Sequence, residues 1–249
     1  MSLKDKTAVL LGGLGGIGFE IGKHLLKNGI SKLFLLDISA NFDGEMRAEL
    51  QAYNIDSSIY YRQCDVTDKD RLSELLRQEV MGRLQFIDVF INSVGIIDEQ
   101  DPDRVLALGA INSSLIALDL MSMDNAGLGG YIINVASVAG LEPFPYCSIY
   151  TASKHGVIDT VLVKTGVKFI TICPGATETA LFRKHNMGNV FLLPWMEEAG
   201  LRLMRQIPIQ SPSVVGECVI RALVEGETGS VWVCTAGKIE RVTMPLNLE

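Results

Sequence analysis

The chain has 249 residues, a net charge of −7, and 48% hydrophobic against 20% charged residues. That length suits a single large α/β domain, and the apolar and charged fractions are ordinary for a globular protein. The acidic balance, without a basic cluster, argues against a nucleic-acid surface.

Cys64, Cys147, Cys173, Cys218 and Cys234 are scattered and lack metal spacing. They read as small buried hydrophobes in a reducing compartment. His24, His155 and His185 form no ligand pattern, so no metal is expected. Met1 to Lys6 is polar and carries no secretory signal, and no apolar stretch of the roughly 18–20 residues needed to span a bilayer is expected. The expected address is the cytosol.

Thr7 to Leu11 is an apolar run that reads as a buried strand. It leads into Gly12-Gly13-Leu14-Gly15-Gly16-Ile17-Gly18 and then a helical pattern. Glycines there permit a tight turn and let the backbone approach a pyrophosphate, while the following helix aims free N–H groups at the phosphates. Lys32 to Leu36 reads as the second strand, and Asp37 follows Gly18 by nineteen positions. A carboxylate at that spacing accepts hydrogen bonds from a ribose diol and repels a 2′-phosphate, which points to NAD rather than NADP.

Downstream, helices are expected over 43–53, 68–81, 105–123, from Ser148 to about Lys164, and over 212–225. Thr67 or Asp68 is available to cap the second of them. Strands are expected over 58–65, 86–92, 131–136 and 168–173, with a last strand over 229–234. This alternation implies a Rossmann-type, doubly wound parallel sheet with ligands at the carboxyl ends of its strands.

Tyr150 and Lys154 stand four residues apart, which puts phenol and ammonium on one helix face. A phenol with pKa ~10 is a poor base, and an adjacent ammonium favours the phenolate and lowers that value. Ser137 ends the strand thirteen residues upstream and offers a hydroxyl to hold a substrate oxygen. Together they make a proton-transfer site for an alcohol or carbonyl.

These motifs run in the order of a known family. With Asp65-Val66-Thr67, Asn92-Ser93-Val94-Gly95, Asn112 and Cys173-Pro174-Gly175, the chain resembles the short-chain dehydrogenase/reductases over nearly its whole length. It looks most like the branch of insect-type alcohol dehydrogenases and NAD-dependent 15-hydroxyprostaglandin dehydrogenases. The resemblance implies Tyr150 as general base, Lys154 lowering its pKa and holding the nicotinamide ribose, and Ser137 on the substrate oxygen. It implies that Asn112 bends its helix and holds a water through its backbone carbonyl. For the cofactor it implies contacts from Gly12, Gly15, Gly16, Ile17, Gly18, Asp37, Asp65, Val66, Asn92 and Gly95, and from Pro174, Gly175, Thr177 and Thr179.

The sequence departs from the family pattern in three places. Ser93-Val94 replaces Asn-Ala, and Val94 is expected to crowd the adenosine ribose. Only nineteen residues separate Lys154 from Pro174, and Gly127 to Gly130 interrupts the chain soon after Asn112. In relatives the two helices concerned build a dimer interface, so a homodimer with a reduced docking surface is expected. A lid is expected over about 180–210, where Phe191, Leu192, Leu193, Trp195, Met196 and Met204 join Pro143, Phe144 and Tyr146 around an apolar substrate site; no cation has a fixed place there to read a carboxylate, Arg183 and Lys184 being the candidates. The implied substrate is a secondary or primary alcohol. Alternatives are a 15-hydroxyprostaglandin-type enzyme on lipid alcohols, or a catalytically weak cofactor-binding protein with a storage or developmental role.

Overall fold

Alternation along buried strands sorts the core onto two faces of a sheet. In β1 (Thr7–Leu11), Ala8 and Leu10 join one cluster, and Val9 and Leu11 join another. A computed structural model describes residues 2–106, 109–158, 165–182 and 190–243. The elements after β1 are α1 (Gly16–Lys27), β2 (Lys32–Asp37), α2 (Gly44–Gln51), β3 (Ser58–Gln63), α3 (Lys69–Leu75), α4 (Met81–Leu84) and β4 (Val89–Asn92). They continue with α5 (Pro102–Val105), α6 (Gly109–Met121), β5 (Gly130–Val135), α7 (Ser148–Ile158), β6 (Val167–Pro174), α8 (Pro194–Met204), α9 (Pro212–Glu225), β7 (Ser230–Thr235) and β8 (Lys238–Val242).

The strands form one eight-stranded sheet in the order β3-β2-β1-β4-β5-β6-β7-β8, parallel except for the β7–β8 pair. A parallel sheet needs cover on both faces. Ile21, Leu25 and Leu26 of α1 and Val215, Val219 and Leu223 of α9 cover one face. Leu72 and Leu75 of α3, Leu84 of α4, and Ile116 and Met121 of α6 cover the other. Chain direction across the sheet reverses between β1 and β4, and the crevice expected of such a switch point opens at their carboxyl ends.

Local signals set several boundaries. Asp43 caps α2 by accepting from Met46 N at 2.9 Å, and Asp68 caps α3 by accepting from Arg71 N at 3.0 Å. Ser211 and Pro212 open α9 as a cap followed by proline at the first position. Three expectations need correction. The sheet continues past the expected last strand through a two-residue turn, Ala236 (φ 49°) and Gly237 (φ 77°), into antiparallel β8. Lys238, Glu240 and Arg241 disguise this edge strand as a loop. The helix expected over 68–81 runs to Leu84 through a π-helical turn, Leu76–Val80. By length and composition alone, the stretch Pro102–Met121, with a mean hydropathy of 1.4, is long and apolar enough to cross a bilayer. Its residues Ile116, Ala117 and Met121 pack against the sheet, as a core helix does. The last turns expected of α7, residues 159–164, and Ala107 and Leu108 between α5 and α6, lie outside the described residues.

Asn92, at the end of β4, is 1% exposed. Its amide donates to Asn134 Oδ1 at 2.7 Å, Ser114 Oγ at 2.9 Å and Ala110 O at 3.2 Å, and accepts from Ser113 Oγ at 2.6 Å. This network bolts β4 and β5 to α6. Asn92→Ala strands several buried partners, and we expect it to lower unfolding free energy by ~2–4 kcal/mol in a urea titration, with the m-value unchanged.

Candidate active site

The glycine turn after β1 is built for close approach. Gly12 adopts φ +72°, and a Cβ there would stand 2.7 Å from Ser93 O. Gly12 N and Gly13 N both donate to Leu36 O, at 2.8 and 3.2 Å. A Cβ on Gly18 would collide with the Gly12 carbonyl, so α1 packs directly on the turn. Gly15 precedes α1 without a side-chain cap, which leaves the first-turn N–H groups of Gly16, Ile17 and Gly18 without a side-chain acceptor. Gly16 packs against Thr179, where a Cβ would lie 3.0 Å from the threonine methyl.

Beside this turn lies a cleft of about 730 Å³. Its lining includes Gly12, Gly15 and Asp37 together with Asp65, Val66, Gly95 and Lys154. Asp37 is held for its place: Oδ2 accepts from Leu14 N at 2.9 Å and Oδ1 from Ser39 N at 3.0 Å. Asp65 Oδ1 accepts from Thr67 N at 2.9 Å and Thr67 Oγ1 at 2.8 Å, which shapes the next loop. Ser93 Oγ is buried without a hydrogen-bond partner, and Ser93 lines the cleft. An orphaned buried hydroxyl is costly unless a ligand satisfies it. With the glycine cradle and Asp37, the residues present fit a dinucleotide.

Some expected cofactor contacts are turned elsewhere. Asn92 faces α6 rather than the cleft, and the Thr177 hydroxyl donates to Gly175 O at 2.8 Å while accepting from Gln210 Nε2 at 3.3 Å. Pro174 ends β6, and Gly175 N donates to Cys234 O at 2.8 Å. A Cβ on Gly175 would meet the Thr235 hydroxyl. None of Asn92, Pro174, Gly175 and Thr177 lines the cleft. Val94 lines the cleft and also packs against the core. Arg104 lines the cleft too, and nothing in the sequence pattern singled it out.

Helix α7 brings the proton-transfer groups together. Lys154 is 7% exposed, with Nζ 3.4 Å from Val135 O and 5.5 Å from the centroid of the Tyr150 ring. Ser137, extended just beyond β5, lies near the Tyr150 phenol, and its Oγ accepts from Ala139 N at 3.1 Å. Burial pushes the Tyr150 phenol up to about 12, outweighing the nearby Ser137 hydroxyl that draws it down. Burial also lowers the Lys154 ammonium from 10.5 to about 8. The expectation that the ammonium leaves the phenol easy to ionise is therefore corrected: desolvation dominates for both groups. Asn112 sits half-buried on α6 beside Ile111, which lines the cleft.

Around Tyr150, buried Cys147, Val190, Phe191 and Met204 form an apolar cluster with Phe144 and Tyr146 packed on it. Leu192, Leu193 and Trp195, expected in the lid, are exposed, Trp195 by 65%. Arg183 and Lys184 lie outside the described residues, as does the rest of the lid over 185–189. Because the Lys154 pKa is lower folded than unfolded, the unfolded chain binds more protons between about pH 8 and 10.5. Stability should rise with pH through that window, and the full penalty, ~3 kcal/mol, should apply below it. Lys154→Met should then raise the thermal midpoint at pH 7 and flatten the rise above pH 8, measured by calorimetry.

Residues 6–189 match the family model described as short chain dehydrogenase. The chain is 34% identical over 253 residues to alcohol dehydrogenase 1 of Ceratitis capitata, covering 97% of this chain and 96% of that one. It is 29% identical to the development-specific 25 kDa protein of Sarcophaga peregrina, covering 98% and 97%. Among solved structures, a single-substitution variant of actinorhodin polyketide ketoreductase with NADPH superposes with a TM-score of 0.78 at 25% identity, covering 94% of this chain and 97% of that one. The chain belongs to the short-chain dehydrogenase family, on its insect alcohol dehydrogenase branch, and is an oxidoreductase acting on alcohols.

Proposed function

We propose that the protein oxidises a secondary or primary alcohol to its carbonyl compound with NAD, Tyr150 acting as general base. The observation that carries this reading is buried Lys154, which lines the same cleft as Asp37 and lies beside half-buried Tyr150 and Ser137. A nicotinamide held in the cleft would supply the acceptor for hydride from the carbinol carbon. Ser137 hydrogen-bonds the substrate oxygen, and Tyr150 takes the hydroxyl proton at its phenolic oxygen. Lys154, whose Nζ has one acceptor in Val135 O, would hold the nicotinamide ribose hydroxyls. Asn112 supports the proton's path through its backbone carbonyl. The balance is alcohol and oxidised cofactor giving carbonyl, reduced cofactor and one proton.

Support for NAD over NADP comes from Asp37. Its carboxylate is locked by two N–H groups, and neighbouring Ile38, Ser39 and Asn41 on the cleft wall carry no charge to balance a 2′-phosphate. The apolar cluster around Tyr150 supports aliphatic or lipid-like alcohols, the 15-hydroxyprostaglandin-type substrates among them. Assembly as a cytosolic homodimer belongs to the same proposal, supported by exposed Leu115 on α6 and Met123 and Leu128 just beyond it. The likeness to a development-specific protein favours, as a second reading, a cofactor-binding chain of low turnover.

Reduced cofactor formation at 340 nm, followed with alcohols from 2-propanol to hydroxy fatty acids, tests these readings. We expect turnover with NAD at least about tenfold above NADP, a difference of ~1.4 kcal/mol, and loss of turnover in Tyr150→Phe with NAD still bound. A silent wild type that binds NAD would transfer the weight to the second reading. A Cβ on Gly95 would fall 2.8 Å from Lys154 Nζ, the free end of a flexible side chain. Gly95→Ala should therefore cut kcat about tenfold or more while the thermal midpoint barely moves.

A further inference from the structure

Helix α7 lacks a local cap. The carbonyl of Cys147 accepts the first helical bond, from Thr151 N at 3.0 Å, which puts cysteine at the cap position. Its thiol instead donates to Val190 O at 3.6 Å. The next free donors, the backbone N–H groups of Ile149 and Tyr150, are taken by a residue fifty positions upstream. Glu99 Oε2 accepts from Ile149 N at 3.0 Å, and Oε1 accepts from Tyr150 N at 2.8 Å. Glu99 is 2% exposed, so an acidic side chain has been buried to make these two bonds. Its charge lies at the positive end of α7.

We propose that Glu99 is the positioning residue for the catalytic tyrosine, an inference that rests on the dehydrogenase reading above. One of its two bonds is to the backbone of Tyr150 itself, so the carboxylate fixes where that residue starts and where its phenol meets Ser137. The same loop reaches the other half of the pair, because Gly95 packs against Lys154 Nζ. Ser93, Val94 and Ile96 of this loop line the cleft. The segment 93–99 thus ties the ligand-facing wall to both members of the Tyr150–Lys154 pair. A shift of about 1 Å in such a group costs on the order of 10²-fold in rate.

Glu99→Gln keeps the size but presents an amide donor to one of the two N–H groups. We expect kcat to fall about 10- to 100-fold, while the NAD dissociation constant, read by quenching of protein fluorescence, stays within about twofold. Glu99→Gln/Cys147→Ser supplies a local cap; it should recover the thermal midpoint and leave kcat low. Should Glu99→Gln fail to fold, Glu99→Asp, which retracts the charge by one methylene, should show the same split. Recovery of kcat together with the midpoint in the double variant would reduce Glu99 to a helix cap and overturn the proposal. So would an unchanged kcat in Glu99→Gln, or equal losses of kcat and NAD affinity. A wild type that binds NAD and oxidises no alcohol on the panel would sink the dehydrogenase reading and the positioning role together. An active wild type beside an unaffected Glu99→Gln would sink the positioning role alone.

Discussion

Lys154 carries an amine into a setting where its charged form is expensive, and the elements around it are shaped by that placement. Val135 O, at the end of β5, gives Nζ one acceptor at 3.4 Å. An ammonium has three donors, and the remaining ones are available to the cleft that Lys154 lines. Glycine stands where the lysine presses on its surroundings. A Cβ on Gly95 would crowd Nζ, and a Cβ on Gly140 would stand 2.7 Å from the Lys154 carbonyl. The second contact lets α7 close on the short 3-10 turn after Ser137, which brings that hydroxyl to Tyr150.

The cleft itself follows from the sheet. Where β1 and β4 lie side by side, their connections leave in opposite directions, and Gly12 and Ser93 meet backbone to backbone. The buried Asn92–Asn134–Ser113–Ser114 network fixes β4, β5 and α6 beneath that point. Loops that face a ligand can then be polar and glycine-rich, because the strand ends supporting them are rigid.

Local geometry was legible in the sequence; long-range orientation was not. Tyr150 and Lys154 could be paired from a spacing of four, because one helical turn fixes their neighbourhood. The bounds of α9 could be read from its proline and apolar period and matched residue for residue. The family resemblance implied cofactor contacts from Asn92 and Thr177, yet the amide and the hydroxyl bond within the protein, because the element each side chain meets in the fold decides its partner. Strand β8 escaped because an exposed edge has no apolar alternation to read. Glu99 escaped for a related reason: its partners lie fifty positions away, and an acidic residue in a loop ordinarily signals only solvent.

Burial also explains why the titration order differs from the order a bare motif suggests. A phenol at about 12 is ionised in roughly one molecule in 10⁵ at pH 7, whereas an ammonium at about 8 is mostly charged there. Desolvation disfavours the charged form of each, and a positive charge arriving beside the phenol opposes that effect for the tyrosine. Oxidised nicotinamide carries such a charge. The chain's own groups thus keep the phenol protonated at neutral pH, and a cationic ligand in the cleft would favour its ionisation. The dry setting makes a buried positive charge effective at short range, so the burial that makes the Lys154 charge costly would also strengthen the pull of such a ligand on the phenol.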